Sequence, residues 1–205
     1  MIYDLFPTPV FTSNIGRKLT EKELNFCLNQ TWVSNQHNMI SDDDNILSHN
    51  VMKDILDFIG EQVIHVAHNI FQYDDTKVQF FITQSWLNNT TANQSHHPHT
   101  HSNSIFSGVF YIKVEQSDSI KFLSKHSNQW GSSELILPLK EKYEVGPYTT
   151  NDFNLMVSEG DLVLFDSKLP HSVDPISTAQ RISLSFNTFA KGEFGSKFHK
   201  TYLPL

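Results

Sequence analysis

Arg181-Ile182-Ser183-Leu184-Ser185-Phe186-Asn187 changes from polar to apolar at every step. Side chains two apart on a strand share a face, so Arg181, Ser183, Ser185 and Asn187 line one side and Ile182, Leu184 and Phe186 the other. If the apolar face packs outward against helices, the polar face looks into a barrel. An arginine there, ten residues beyond His171, is costly to bury unless an anion pairs with it. A carboxylate held by two parallel hydrogen bonds is the natural partner. The blander reading pairs Arg181 with Asp166 or Asp174, or leaves it exposed on a polar sheet face.

The same texture extends upstream. After Tyr73, β-branched and aromatic residues come in short runs bounded by polar turns, which predicts strands. They are expected near 78–88, 105–115, 119–124, 134–138, 152–157, 161–166, 170–175 and 180–189, with Gly131, Gly146 and Gly160 punctuating the turns. Eight short strands predict a mainly β chain, a jelly roll or double-stranded β-helix of cupin-like shape. This core spans 76–190, preceded by supporting helices and an extended segment in 1–75 and followed by a tail over 191–205.

Within the N-terminal part, Leu5-Phe6-Pro7-Thr8-Pro9-Val10-Phe11 is too interrupted by proline for a helix and suits an edge strand. From 20 to about 30 a helix is predicted, with Thr20 as N-cap and Glu23 placed as a capping box asks. Residues 35–50 are polar and read as a loop, with Asp42-Asp43-Asp44 as a solvated face. A longer helix is predicted from the period of Ile55, Phe58, Ile59, Val63, Ile64, Val66, Ala67, Ile70 and Phe71. His65 and His68 on it are read as surface or packing residues.

Composition bounds the function. Two full domains would fit tightly in 205 residues, so one is expected. Hydrophobic content of 39% with only 18% charged residues predicts a folded chain. A net charge of −7 argues against a nucleic-acid surface, which needs clustered Lys and Arg. The single Cys27 cannot form an internal disulfide and reads as a small core residue. No secretion signal is seen, and no apolar run approaches the roughly 20 residues a bilayer requires. A cytoplasmic protein without membrane contact is expected.

The chemistry concentrates in His96-His97-Pro98-His99-Thr100-His101, which holds four of the eleven histidines. Residues two apart in an extended chain point the same way, so His99 and His101 can both reach one ion through neutral imidazole nitrogens. His97 and His99 form a rival pair. Downstream, Glu159-Gly160-Asp161-Leu162-Val163-Leu164-Phe165-Asp166 enters a strand, and Leu169-Pro170-His171-Ser172-Val173 returns with a histidine that can deliver a third ligand across the barrel. Two ligands two apart plus a distant one make a facial triad, which leaves coordination positions free for reaction.

Taken together, Trp86-Leu87-Asn88, His99-Thr100-His101 and Ser107-Gly108-Val109-Phe110-Tyr111 resemble a subgroup of the Fe(II)- and 2-oxoglutarate-dependent oxygenases marked by Trp-x-Asn, His-x-His and Ser-Gly-Val-aromatic-Tyr. The opening Leu-Phe-Pro-Thr-Pro and the segment from Gly160 to Asn187 extend the likeness over most of the chain. The resemblance implies that His99 and His171 match the two iron-binding histidines, with His101 where most of the superfamily carries Asp or Glu. It implies that Arg181 pairs with the distal carboxylate of 2-oxoglutarate and Ser183 supplies the hydroxyl two residues on. Asn88 and Tyr111 are weaker candidates for contacts to that cosubstrate. A neutral imidazole at position 101 leaves the site one unit more positive, unless Asp166 or Asp174 completes the triad instead.

The resemblance implies an O2-consuming hydroxylase that cleaves 2-oxoglutarate to succinate and CO2. Two alternatives remain: a cupin-like metal enzyme that ignores 2-oxoglutarate, and a silent metal- or ligand-binding module. The prime substrate is left open, with the polar loops 89–95 and 125–133 as expected walls and Trp130 as a lid contact. Phe106 and Phe110 are read as core before pocket. An exposed β edge or the N-terminal helices offer a surface for pairing two copies.

Overall fold

The computed structural model describes residues 7–124, 140–142, 144, 146 and 149–205. Two antiparallel sheets face each other. β1 (Val10–Asn14), β9 (Asp161–Asp166), β6 (Phe106–Lys113), β11 (Gln180–Phe194), β4 (Val78–Thr91), β3 (Asn38–Ser41) and β2 (Trp32–Asn35) form the larger, in that spatial order, with β12 (Leu203–Pro204) pairing with the end of β11. The smaller holds β5 (His96–His99), β10 (His171–Val173), β7 (Ser119–Leu123) and β8 (Asp152–Met156) in that order. Strands that follow one another in the chain alternate between the sheets from β4 to β7 and from β8 to β11, which is the winding of a double-stranded β-helix.

The alternating strand is the centre of this architecture. β11 lies between β4 and β6, so both of its edges are hydrogen-bonded. Its apolar face, with Ile182, Leu184 and Phe186, joins Leu87, Phe110, Leu162 and Leu164 in a core that the helical layer closes with Ile55, Ile59 and Val63. Its polar face looks between the sheets, where a second core of Val109, Tyr111, Ile120, Phe122, Val163, Phe165 and Leu169 fills the interior beside it. Phe106 and Phe110 both belong to the outer, helix-side core, as expected from packing.

Gly108 is where the two layers of side chains leave no room. It pairs with Phe186 on β11 and Leu164 on β9, and a Cβ there would lie 2.2 Å from Phe186 Cζ and 2.7 Å from Leu164 Cδ2. Both neighbours are buried, so neither ring nor methyl can swing clear. Gly108→Ala is expected to destabilise the protein by about 1–3 kcal/mol, the usual cost of overpacking. Denaturant unfolding of the two proteins checks this, and an unchanged midpoint would mean that the core yields.

The helical layer follows the sequence in part. α1 (Glu21–Leu28) carries the full capping box: Glu23 N–H donates to Thr20 Oγ1 and Thr20 N–H to Glu23 Oε2. Arg17 grips the same buried carboxylate at 2.6 Å and holds its pKa below the usual range. α2 (Lys53–Ile64) forms as expected, but its last turn widens into a π-helical segment over His65–Ile70. His68 Nδ1 lies 2.9 Å from the Tyr73 carbonyl and His65 sits against Phe11, so both have the packing roles expected of them. Cys27 is fully buried, and burial pushes its thiol up to about 12.

The stretch 35–50 departs from expectation. Instead of a loop it contains the β2–β3 hairpin, joined through Gln36 and His37, followed by short 3-10 turns at Ile46–Ser48 and Asn50–Met52. Asp43 and Asp44 act locally there: Asp43 accepts from the Asn45 N–H and meets His49 at 2.7 Å, and Asp44 accepts from Asn45. The expected strand at 134–138, Gly131, Trp130 and the loop 125–133 lie outside the described residues. Among the described residues, no helix is long and apolar enough to cross a membrane.

Candidate metal centre

β5 and β10 lie side by side in the smaller sheet, with His171 paired to His99. This register, set by the backbone, brings the rings of His99 and His171 to 4.3 Å between centroids. His101 follows just beyond the end of β5. Its backbone N–H donates to the Ser167 carbonyl at 2.8 Å, which turns the chain back toward the strand bearing His171. The His101 and His171 rings then stack almost parallel at 5.1 Å, with their Nε2 atoms 3.3 Å apart.

One ligand atom from each of the three histidines lies within 4.8 Å of the other two, and no further grouping of three His, Cys, Asp or Glu side chains does so among the described residues. Imidazole nitrogens bind first-row metals at roughly 2.0–2.1 Å, so neighbouring ligands around one ion stand roughly 3 Å apart, close to the Nε2 separation found here. Main-chain carbonyls orient two of the rings. His99 Nδ1 lies 2.9 Å from the His97 carbonyl and His171 Nδ1 lies 3.0 Å from that of Leu169. Such contacts fix which nitrogen carries the proton and leave Nε2 free for a metal. Burial, reinforced by the neighbouring rings, lowers the pKa of His171 to about 3 and of His101 to about 4, and burial also lowers that of His99. The imidazoles are therefore held in the neutral, ligating form.

His97, the rival partner, enters through its carbonyl as the acceptor for His99. Neither aspartate considered for the triad joins it: Asp174 pairs with Lys121 at 2.6 Å, and Asp166 is exposed and accepts from the Lys168 N–H.

A cavity with an empty volume of about 380 Å³, its mouth included, reaches from these histidines to Arg181. The larger sheet supplies its polar wall: Arg181, Ser183 and Ser185 from β11 and Asn88 from β4, with Trp86, Val109 and Ile120 as apolar surface. Arg181 is only 3% exposed and makes no ion pair among the described residues. It lies over the Tyr111 ring, 5.2 Å from the centroid, and among the described residues it donates a long hydrogen bond of 3.5 Å from Nη1 to Ser183 Oγ. Its Nε–H, the Tyr111 hydroxyl and the Asn88 carbonyl oxygen are all buried without a partner. Burial pushes the Tyr111 hydroxyl up to about 12, so it stays a donor. Asn88 gives its N–H to Ser185 Oγ at 2.9 Å, and a half-turn of the amide would present that N–H to the cavity instead. A buried guanidinium surrounded by unused donors suits a carboxylate.

Sequence reasoning gave no site role to several lining residues, Trp86, Val109 and His96 among them. Trp86 and Val109 face the cavity because they sit opposite Ser185, a relation visible only once strands are paired. His96 also lines it. The loop 89–95 contributes no side chain to this cavity, and 89–91 complete β4.

The geometry agrees with what comparison finds. The model of one protein family, described as "Putative 2OG-Fe(II) oxygenase", matches residues 84–187, from β4 through all three histidines to the end of the alternating strand. No curated protein matches the chain. Solved structures resemble it in fold. HygX from Streptomyces hygroscopicus, with nickel and 2-oxoglutarate bound, has a TM-score of 0.54 at 10% identity over 88% of this chain and 82% of its own. A prolyl-4-hydroxylase from Pseudomonas putida gives 0.53 at 12% identity over 90% and 95%. SnoN, a non-heme alpha ketoglutarate dependent epimerase from nogalamycin biosynthesis, gives 0.58 at 12% identity over 90% and 80%. Because the match takes in more than half of the 205 residues, together with the strands that build the cavity, the chain belongs to the 2OG-Fe(II) oxygenase family.

Proposed function

We propose that this protein is an Fe(II)- and 2-oxoglutarate-dependent dioxygenase that hydroxylates a C–H bond. Substrate C–H, O2 and 2-oxoglutarate would give the alcohol, succinate and CO2. The observation that carries this reading is a single cavity that joins three histidines to a buried arginine that has no carboxylate partner among the described residues. Related folds have nickel and 2-oxoglutarate bound or are hydroxylases.

His99, His101 and His171 would hold the iron, and iron so held supplies the activation of O2 coupled to oxidative decarboxylation of the keto acid. Arg181 takes the distal carboxylate, with Ser183 and the Tyr111 hydroxyl completing its hydrogen bonds. Asn88 offers its amide to the same ligand. The low-dielectric wall of Val109, Ile120 and Trp86 strengthens these charge-assisted bonds and keeps water away. Three imidazoles bring no negative charge, so the ligand's own carboxylates provide the neutralisation that Asp or Glu would give.

The test is an anaerobic titration of the metal-free protein with Fe(II) and then 2-oxoglutarate, followed in the visible region. A charge-transfer band that grows with keto acid is expected, since only chelation through the keto and carboxylate oxygens produces it. Iron binding without a band at saturating keto acid would shift the assignment to a cupin-like enzyme or a binding module.

A further inference from the structure

His96 belongs to the histidine cluster but not to the three whose nitrogens converge. Along β10, the step from His171 to Val173 is two residues, but the matching step along β5, from His99 to His96, is three. β5 thus carries one extra residue, a β-bulge, and bulges beside active sites re-aim side chains. In a regular strand, residues three apart point to opposite faces. Here the His96 and His99 rings lie on the same side and stack at 4.4 Å with an interplanar angle of 18°. Pro98 falls within the bulge, where its missing N–H costs no ladder hydrogen bond.

The bulge therefore turns a fourth imidazole toward the cavity, where it shares a wall with Arg181 and His99. Its ring lies outside the group of three whose nitrogens converge. Main-chain carbonyls hold the His99 and His171 rings, whereas neither nitrogen of His96 has a hydrogen-bond partner among the described residues. An imidazole with free nitrogens facing a cavity shaped for an anion is a donor awaiting an acceptor.

We infer that His96 is a cosubstrate-positioning residue, whose ring N–H donates to a carboxylate of the 2-oxo acid held between the three histidines and Arg181. This rests on the function proposed above and adds a residue that chooses the pose of the acid without binding the metal.

The experiment uses the Fe(II)-loaded protein under anaerobic conditions, with calorimetric titration of 2-oxoglutarate into the wild type, His96→Phe and His96→Gln. Phenylalanine keeps the stacking on His99 and removes the donor; glutamine keeps an N–H. His96→Phe should bind 2-oxoglutarate roughly tenfold or more weakly, as befits loss of a hydrogen bond to a charged group. Its Fe(II) affinity should be unchanged, and His96→Gln should recover most of the loss. Unaltered 2-oxoglutarate binding in His96→Phe would overturn the inference while leaving the dioxygenase reading intact. Equal losses in both variants would make the role one of packing, and a parallel fall in Fe(II) affinity would make His96 a ligand; either result also overturns it. Failure of the wild type to bind the acid would instead strike the proposed function itself.

Discussion

His171→Ala is expected to abolish turnover and weaken Fe(II) binding by more than about 100-fold. Losing even an outer partner of a metal-bound histidine costs roughly 10–100-fold, and His171 is placed as a direct ligand. The ring is 5% exposed and packs against Phe165 at 4.6 Å, so the variant also loses core contacts, and lower stability alone would prove little. The separating measurement is thermal unfolding with and without metal. Ligand at 1,000 times its Kd stabilises a native state by about 4 kcal/mol and at 10 times its Kd by about 1.4 kcal/mol, so Fe(II) should raise the melting temperature of the wild type by several degrees and that of the variant by at most about a third as much. A variant that gained as much stability from Fe(II) as the wild type would remove His171 from the ligand set.

Arg181 leads to the second large effect, and it has two signs. A guanidinium this deeply buried, without a counter-charge among the described residues, costs the ligand-free fold, because its desolvation is not offset. Arg181→Met keeps much of the volume and removes the charge. The metal-free, ligand-free variant should therefore melt no lower than the wild type, while its 2-oxoglutarate affinity falls roughly 100-fold, in line with the 2–5 kcal/mol typical for truncating one partner of a buried charge pair. Calorimetry on the Fe(II) forms and thermal melts of the apo forms read the two halves separately. A variant that lost stability and kept its affinity would identify Arg181 as a structural residue.

Arg181 and the His99–His101 pair were legible in the sequence because each sits in a pattern with a short period. Strict alternation from Arg181 to Asn187 placed the arginine on the polar face, and the two-residue spacing of His99 and His101 put both on one side of an extended chain. The capping box of Thr20 and Glu23 was equally local. What escaped depends on pairing between distant segments. The β2–β3 hairpin turns through Gln36 and His37, with Gln36 at a φ of +50°, where the usual signal is Asn-Gly. Its strands are four residues each, too short for alternation to show. β5 holds a proline and a bulge, so periodicity alone could not place His96 on the face of His99. The absence of a side chain at Gly108 makes sense only when Phe186 is laid across it.

The three candidate ligand positions are anchored differently, and this bears on how such a site can change over evolutionary time. His99 and His171 are oriented through their own ring nitrogens, each against a main-chain carbonyl, so no carboxylate could take their place without losing its orientation. Position 101 is secured by its backbone amide on the Ser167 carbonyl, an anchor indifferent to the side chain it carries. A single codon change there can exchange imidazole for carboxylate, altering the charge at the metal by one unit while the scaffold keeps its shape. The fold thus confines electrostatic variation to one coordinate, and lineages can explore reactivity at position 101 without first having to rebuild the barrel.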